Sequence, residues 1–253
     1  MKEQIIAHIE QLEKDQGITI LMATESGSRA WGCPSPDSDY DVRIIFKRPK
    51  SEYLEIDNKP STINYFHGEL LDINGWDIKK TLKLIRKSNV TPFEWSQSPI
   101  VYKETGDFRS RLLELCREYF KPRHAINHYK GIAKNSYLSN DLSGEIKLKK
   151  LFYVLRPLMA VKWIILKNEI PPMDIPNLIS VVDDEAVVAY INQLLEIKRT
   201  VNEDYVYIMD RLIVDYIDAQ FNYVNSIAIV DKNEELPSDR LNAMFKELLN
   251  DNS

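Results

Sequence analysis

Two short polar groups stand close together in the stretch Met22 to Phe46, which reads MATESGSRAWGCPSPDSDYDVRIIF: Gly27-Ser28 and, after ten intervening residues, Asp39-Tyr40-Asp41-Val42. A Gly-Ser pair that follows an apolar strand and precedes a short helix-forming stretch presents unpaired backbone N–H groups and a hydroxyl. These are the donors an anion such as phosphate needs. Asp39 and Asp41 stand at i and i+2 of the next strand, so their carboxylates project from one face, about 6.6 Å apart along the backbone. Oxygen donors of this kind suit a hard divalent cation, and Mg2+ is the natural occupant because it keeps several waters and is completed by substrate phosphates. Two such cations, held about 3.5–4 Å apart, clamp the attacking and leaving oxygens in phosphoryl transfer. The plainer reading of SPDSDYD is a polar turn that leads into a strand.

Other motifs fail on the same residues. Asp37, Asp39 and Asp41 open like a calcium loop, but Val42 stands where Gly is needed and Arg48 where the twelfth-position Glu belongs. Gly27 and Gly32 have the first spacing of a P-loop, yet Cys33-Pro34 replaces Gly-Lys. Cys33 and Cys116 are the only cysteines and lack zinc-site spacing, so two free thiols are expected. His124 and His128 stand at i, i+4 without the Glu of an HExxH helix, which makes packing the better reading.

The elements that must position these residues follow from periodicity. A charged amphipathic helix occupies the first sixteen residues. Ile18 to Thr24 and Tyr40 to Phe46 read as strands, and Thr62 to Ile73 supplies more strand-like material. Asp77 reads as the N-cap of a helix from Ile78 to Lys87, and Asn89 to Pro99 breaks the pattern. Beyond Gly106 the spacing is helical: Phe108 to Tyr119, Ala125 to Leu138, Glu145 to Lys167, Glu185 to Lys198, Tyr205 to Ile227 and a closing helix from Ser238 to Leu249. Pro157 is expected to kink or split the third of these. The spacing predicts an α+β (mixed α/β) protein, with a first domain over 1–105 and a helical domain over 106–253.

At 253 residues with 44% hydrophobic and 28% charged, the chain can bury a real core. Its net charge of −5 argues against a general nucleic-acid coat protein but leaves room for a local basic groove. The N-terminus lacks the apolar core of a signal peptide, and the longest apolar run, Leu158 to Leu166, is interrupted by Lys162. A soluble cytoplasmic protein with no membrane partner is expected; the sequence does not fix its oligomeric state.

Gly-Ser followed by Asp-Tyr-Asp-Val resembles the signature of the DNA-polymerase-β-like nucleotidyltransferase superfamily. More narrowly, ESGSRAWG, PDSDYDVR, GWDIKKTLKLIRKSN, EWSQSPIVY and KLFYVLRPLMAVKWI are similar to a nucleotidyltransferase family found associated with RNA ligases. The resemblance spans about residues 20 to 172. It implies a small mixed sheet flanked by helices, a helical C-terminal region, and two-metal Mg2+ dependence with Mn2+ able to substitute. It also implies transfer of a nucleoside monophosphate from an NTP, ATP included, with release of pyrophosphate. An RNA 3′ end is the first choice of acceptor, in keeping with RNA repair. A protein hydroxyl, an aminoglycoside-like small molecule, or a catalytically silent nucleotide sensor are the alternatives.

The superfamily has a third carboxylate on a later strand, and two residues compete for it: Asp72, flanked by Leu71 and Ile73, and Asp77 at the start of the helix. Asp72 is preferred, because an N-cap role alone explains Asp77. Arg29 is a candidate for the triphosphate or for a surface ion pair. Arg43, at i+2 from Asp41, shares the metal face and is a candidate to neutralise the carboxylates or touch phosphate. Lys149, Tyr153 and Arg156 lie on one helix face, suited to phosphates and a base or simply to solvent. Lys79, Lys80, Lys83, Arg86 and Lys87 either guide a polynucleotide or form the wet side of their helix. Trp31, Trp76, Trp95 and Trp163 read as core, and Trp31 alone is near enough to Gly27-Ser28 in sequence to line a nucleotide pocket instead.

Overall fold

The computed structural model describes residues 1–68, 70–138, 144–227 and 236–250. In chain order the elements are α1 (Lys2–Gln16), β1 (Thr19–Glu25), the single turn α2 (Gly27–Ala30), β2 (Tyr40–Lys47), β3 (Thr62–His67), β4 (Leu71–Asp77), α3 (Ile78–Arg86), α4 (Val90–Gln97) and β5 (Val101–Glu104). There follow α5 (Phe108–Glu118), α6 (Pro122–Leu138), β6 (Glu145–Lys147), α7 (Leu148–Lys167), α8 (Ile175–Leu178), α9 (Glu185–Lys198), β7 (Val206–Ile208), α10 (Arg211–Ser226) and α11 (Asp239–Asn250). The fold class is α+β. No helix among the described residues is long and apolar enough to cross a membrane.

The chain forms two compact units, one of residues 1–30, 39–119 and 234–253, the other of 31–38 and 120–233. These bounds differ from a division at residue 105. Helix α5 packs on α4 and β1, and α11 packs on α3, so both belong with the sheet. The loop Trp31–Ser38 belongs with the helices instead.

The first unit is built on a five-stranded sheet in the order β3-β4-β2-β1-β5. Only β2 and β4 pair in parallel; their register sets Asp41 beside Asp72. Alternation along β2 sends Val42, Ile44 and Phe46 into the core with Ile5, Ile9 and Leu12 of α1, and leaves Asp41 and Arg43 on the other face. Gly75 of β4 permits this packing, because a Cβ there would come within 2.6 Å of the Ile44 side chain.

Helix α3 begins where expected, with the Asp77 carboxylate accepting from the Lys79 N–H. The stretch 89–99, expected as a break, holds α4 instead: Asn89 caps it by accepting from Thr91 N–H. Pro92 lies in the first turn, where a missing N–H leaves no helical bond unmade.

The second unit is helical with one small ribbon. Glu145–Lys147 and Val206–Ile208 pair antiparallel as β6 and β7, so the helices expected from Glu145 and Tyr205 start later, at Leu148 and Arg211. Asp210 marks the second of these starts by accepting from Leu212 N–H. Helix α7 runs through Pro157 as one element rather than splitting. It is buried on most sides, from Leu151 to Ile164, and packing of that extent outweighs one missing backbone bond.

Candidate active site

The strand β1 ends in Glu25, Ser26 and the turn Gly27-Ser28, and the backbone is tied there to β2 by the Ser26 N–H donating to the Asp41 carbonyl at 2.8 Å. Gly27 has φ +60 and lies directly against Asp41; a Cβ at this position would fall 2.0 Å from Asp41 Oδ2. Only glycine allows both the left-handed backbone and the close approach. The turn and the carboxylate thus touch.

Across the parallel pair, Arg43 binds both carboxylates. Its guanidinium donates to Asp41 Oδ1 at 2.7 Å and to Asp72 Oδ2 at 2.9 Å. The three side chains are 29%, 31% and 18% exposed for Asp41, Asp72 and Arg43, so the group is reachable from solvent. Two like charges this close repel, and the planar fork of Arg43 offsets the repulsion. Asp39 is exposed just before β2, and its backbone carbonyl accepts from Arg29 Nε at 3.0 Å. Arg29 also lies over Tyr40, its guanidinium carbon 3.8 Å from the ring centre. Ser28 is half-buried in α2.

Asp77 stands apart. It is five residues further along β4 on the opposite face, buried, and bound by Lys79 N–H at 2.7 Å and by the Tyr53 hydroxyl at 2.7 Å. Of the two third-carboxylate candidates, Asp72 is the one beside Asp41.

Among the described residues, no three acidic, cysteine or histidine side chains are gathered closely enough to hold a metal ion by themselves. The donor set nonetheless fits Mg2+. That ion is commonly held by one or two carboxylates, with waters and substrate phosphates as its other ligands, and Asp41 and Asp72 are such a pair.

A residue that the sequence reading passed over supports the pair from below. Glu25 is fully buried and accepts from the Asp41 N–H at 2.8 Å and from the Tyr102 hydroxyl. Burial pushes its carboxyl above the usual value, against the lowering effect of the Tyr102 and Asp41 hydrogen bonds. The one sequence signal was an acid at the end of an otherwise apolar strand.

The other candidates fall in the helical unit. Lys149 pairs with Glu203 at 2.6 Å. Arg156 is buried, donates to the Met173 carbonyl at 2.9 Å, and packs 4.4 Å from the Trp31 ring centre. Tyr153 meets Trp31 edge-on at 5.1 Å. Tyr153 and Arg156 therefore meet on Trp31, while Lys149 is engaged by Glu203. Cys33 and Cys116 are free and buried.

Comparison with known proteins gives the family. Residues 1–247 match the RlaP family, described as the RNA repair pathway DNA polymerase beta family. The uncharacterized protein YcgL of Bacillus subtilis (strain 168) is 42% identical over 200 residues, which cover 79% of this chain and 77% of that protein. A solved structure, a nucleotidyltransferase-like protein from Exiguobacterium sibiricum 255-15, aligns over 96% of this chain and 80% of its own length at 10% identity and a TM-score of 0.32. With its family match spanning nearly the whole sequence, the chain belongs to the RNA repair pathway DNA polymerase beta family and is a polymerase-β-like nucleotidyltransferase.

Proposed function

We propose that the protein transfers a nucleoside monophosphate from an NTP to the 3′ hydroxyl of an RNA, releasing pyrophosphate, with Asp39, Asp41 and Asp72 as the catalytic carboxylates. The observation that carries this reading is the placement of Asp41 and Asp72 side by side on parallel strands, tied by Arg43 and touched by the Gly27 backbone.

In this reading the Gly27-Ser28 turn holds the β- and γ-phosphates through its backbone N–H groups and hydroxyl. Contact between Gly27 and Asp41 then brings the α-phosphate next to the carboxylates. Asp72 orients the attacking hydroxyl and draws off its proton. The new bond joins the RNA oxygen to the α-phosphorus as the bond to pyrophosphate breaks. Asp41 and Asp72 are the residues that would hold Mg2+, with Asp39 just outside the pair as a further carboxylate for the substrate-bound state; the ion when bound supplies neutralisation of phosphate charge and a more acidic acceptor hydroxyl. Arg29 and Arg43 add fixed positive charge near the phosphates. Little covalent chemistry is asked of the protein, because positioning and charge neutralisation carry most of phosphoryl transfer. Two buried free thiols suit the reducing cytoplasm, where we place the activity.

The test is incubation with each α-labelled NTP and Mg2+, with γ-labelled controls, offering total RNA, cell-extract protein or no acceptor. Label on RNA from α-labelled nucleotide only, absent with Asp39→Ala/Asp41→Ala, is the expected result. Label on protein or a small molecule would reassign the acceptor. Mg2+-dependent NTP binding without transfer to any of these would contradict the proposal and favour a nucleotide sensor.

A further inference from the structure

The sheet unit carries a polar concavity apart from the carboxylate pair. A cleft of about 390 Å³ is walled by Arg48, Lys59, Lys79, Lys80, Lys83 and Lys87, with Glu52 and Asp77 as its acids. Neither acid answers these cations in full. Glu52 faces Arg48 at 3.4 Å, and Asp77 is buried and occupied by the Lys79 backbone and the Tyr53 hydroxyl. Lys79, Lys80 and Lys83 have no carboxylate partner among the described residues; the Lys80 ammonium lies 4.6 Å from the Trp76 ring centre. On the far side of the same lysines a shallower groove of about 220 Å³ is lined by Lys79, Lys83 and Arg86 with Leu241 and Phe245 of α11.

The position of these charges is costly, which argues that they are there for a ligand. Lys79 and Lys80 occupy the first turn of α3, where the helix dipole disfavours cations. A helix that merely needed a wet face would place them later, and a local rule broken without local gain marks a functional surface. The whole chain is acidic, at −5, so the cluster is a local reversal of sign.

The arrangement also points to the kind of ligand. Lys79, Lys83 and Lys87 recur every four residues, about 6 Å apart along the helix. A row of point charges suits a linear polyanion, whereas a single phosphate needs convergent donors. We propose that this cleft binds the phosphodiester backbone of an RNA strand. The proposal rests on the RNA-acceptor reading only for the identity of the polyanion. Asp77, in the cleft, is five residues along β4 from Asp72, about 17 Å at 3.3 Å per residue. Because the two residues lie on opposite faces of the sheet, a strand joining the two places needs at least about five phosphates at 3.4 Å each, so RNAs shorter than this cannot engage both.

The experiment is fluorescence anisotropy of the full-length protein with a labelled single-stranded RNA of about 20 nucleotides, without NTP or metal, over a salt series. The triple variant Lys79→Gln/Lys80→Gln/Lys83→Gln is expected to keep the parent Tm, since Lys79 and Lys83 are exposed. Its Kd should rise at least about tenfold, and the slope of log K against log salt should become shallower by about 2, near 0.7 per lost contact on a single strand. RNAs of about three nucleotides should bind far more weakly, and inorganic phosphate should not displace the long strand at equal phosphate concentration. Absence of RNA binding by the parent, an unchanged Kd and slope in the triple variant, or lysine-dependent binding of polyglutamate as tight as RNA would overturn the proposal. Lysine-dependent RNA binding without nucleotidyl transfer would uphold the cleft and count against the catalytic reading alone.

Discussion

Two charged networks, one in each unit, look alike as residue lists and differ in what they leave open. In the sheet unit, Asp41 and Asp72 share one guanidinium and remain about one-third exposed. In the helical unit, Lys198 donates to Ser35 Oγ at 2.9 Å, and the Ser35 N–H donates to Ser38 Oγ at 2.9 Å. Ser38 donates to Glu203 Oε1 at 2.7 Å, Lys149 donates to Glu203 Oε2 at 2.6 Å, and the Glu203 N–H donates to Asp37 at 2.9 Å. Lys198, Ser35 and Ser38 are all buried. The second network consumes its charges in fastening the loop 31–38, which in sequence joins α2 to Asp39. The first has accessible carboxylate oxygens and a cation that a substrate complex can replace. Density of charge is common to both; accessible, exchangeable charge is what marks a candidate site.

The comparison breaks if the two networks respond alike to substitution. The largest effect expected is that of Asp41→Asn, which keeps the side-chain shape and removes the charge. Nucleotidyl transfer should fall by at least about a thousandfold, since charge placement is the main catalytic term, while the thermal midpoint changes little. Gly27→Ala comes next, because its Cβ would collide with Asp41 Oδ2. It should lose about 1–3 kcal/mol of stability, measured by urea unfolding, together with most of the activity, measured by label transfer. Lys198→Met should do the reverse of Asp41→Asn. Leaving the Ser35 hydroxyl buried without its partner costs about 1–3 kcal/mol, read as a lower unfolding midpoint, with transfer per folded molecule retained.

The smallest effect sharpens the contrast through pH. Burial raises the Glu25 carboxyl above its usual 4.5, so the folded protein binds a proton more tightly there than the unfolded chain. Stability from this group therefore declines as pH rises from 4.5 through the raised value. Glu25→Gln should remove that decline. At Glu203, burial acts upward but is outweighed by the hydrogen bonds from Lys149 and Ser38 and by the charges of Lys149 and Lys198, so the carboxyl is lowered below 4.5. Its contribution is present above 4.5 and lost as pH falls through the lowered value. Glu203→Gln should thus destabilise at neutral pH and converge on the parent in acid, as followed by thermal melts at several pH values.

What was legible in the sequence was local. Asp77 as a cap, β1 and β2 as strands, and the Gly27-Ser28 turn ahead of Asp39 and Asp41 all follow from spacing within a few residues. Membership in the polymerase-β-like family was legible in the same motifs. The pairing of Asp72 with Asp41 needs a parallel register between strands thirty residues apart, which no local pattern sets. Helix α4 was hidden because Pro92 reads as a breaker when its place in the first turn is unknown. The ribbon β6–β7 was hidden because three-residue strands carry too little alternation to stand out from helical spacing. Lys149 read as available because Glu203 lies 54 residues further on.

The central claim is that Asp72, and not Asp77, completes the carboxylate pair of the active site. It is tested most directly by label transfer from α-labelled NTP, measured beside the thermal midpoint, for Asp72→Asn and Asp77→Asn. Asp72→Asn should lose transfer at least about a hundredfold at an unchanged midpoint. Asp77→Asn should keep transfer per folded molecule while its midpoint falls, since a cap and a buried bond to Tyr53 are weakened. Full transfer in Asp72→Asn, with transfer abolished in a folded Asp77→Asn protein, would contradict the account.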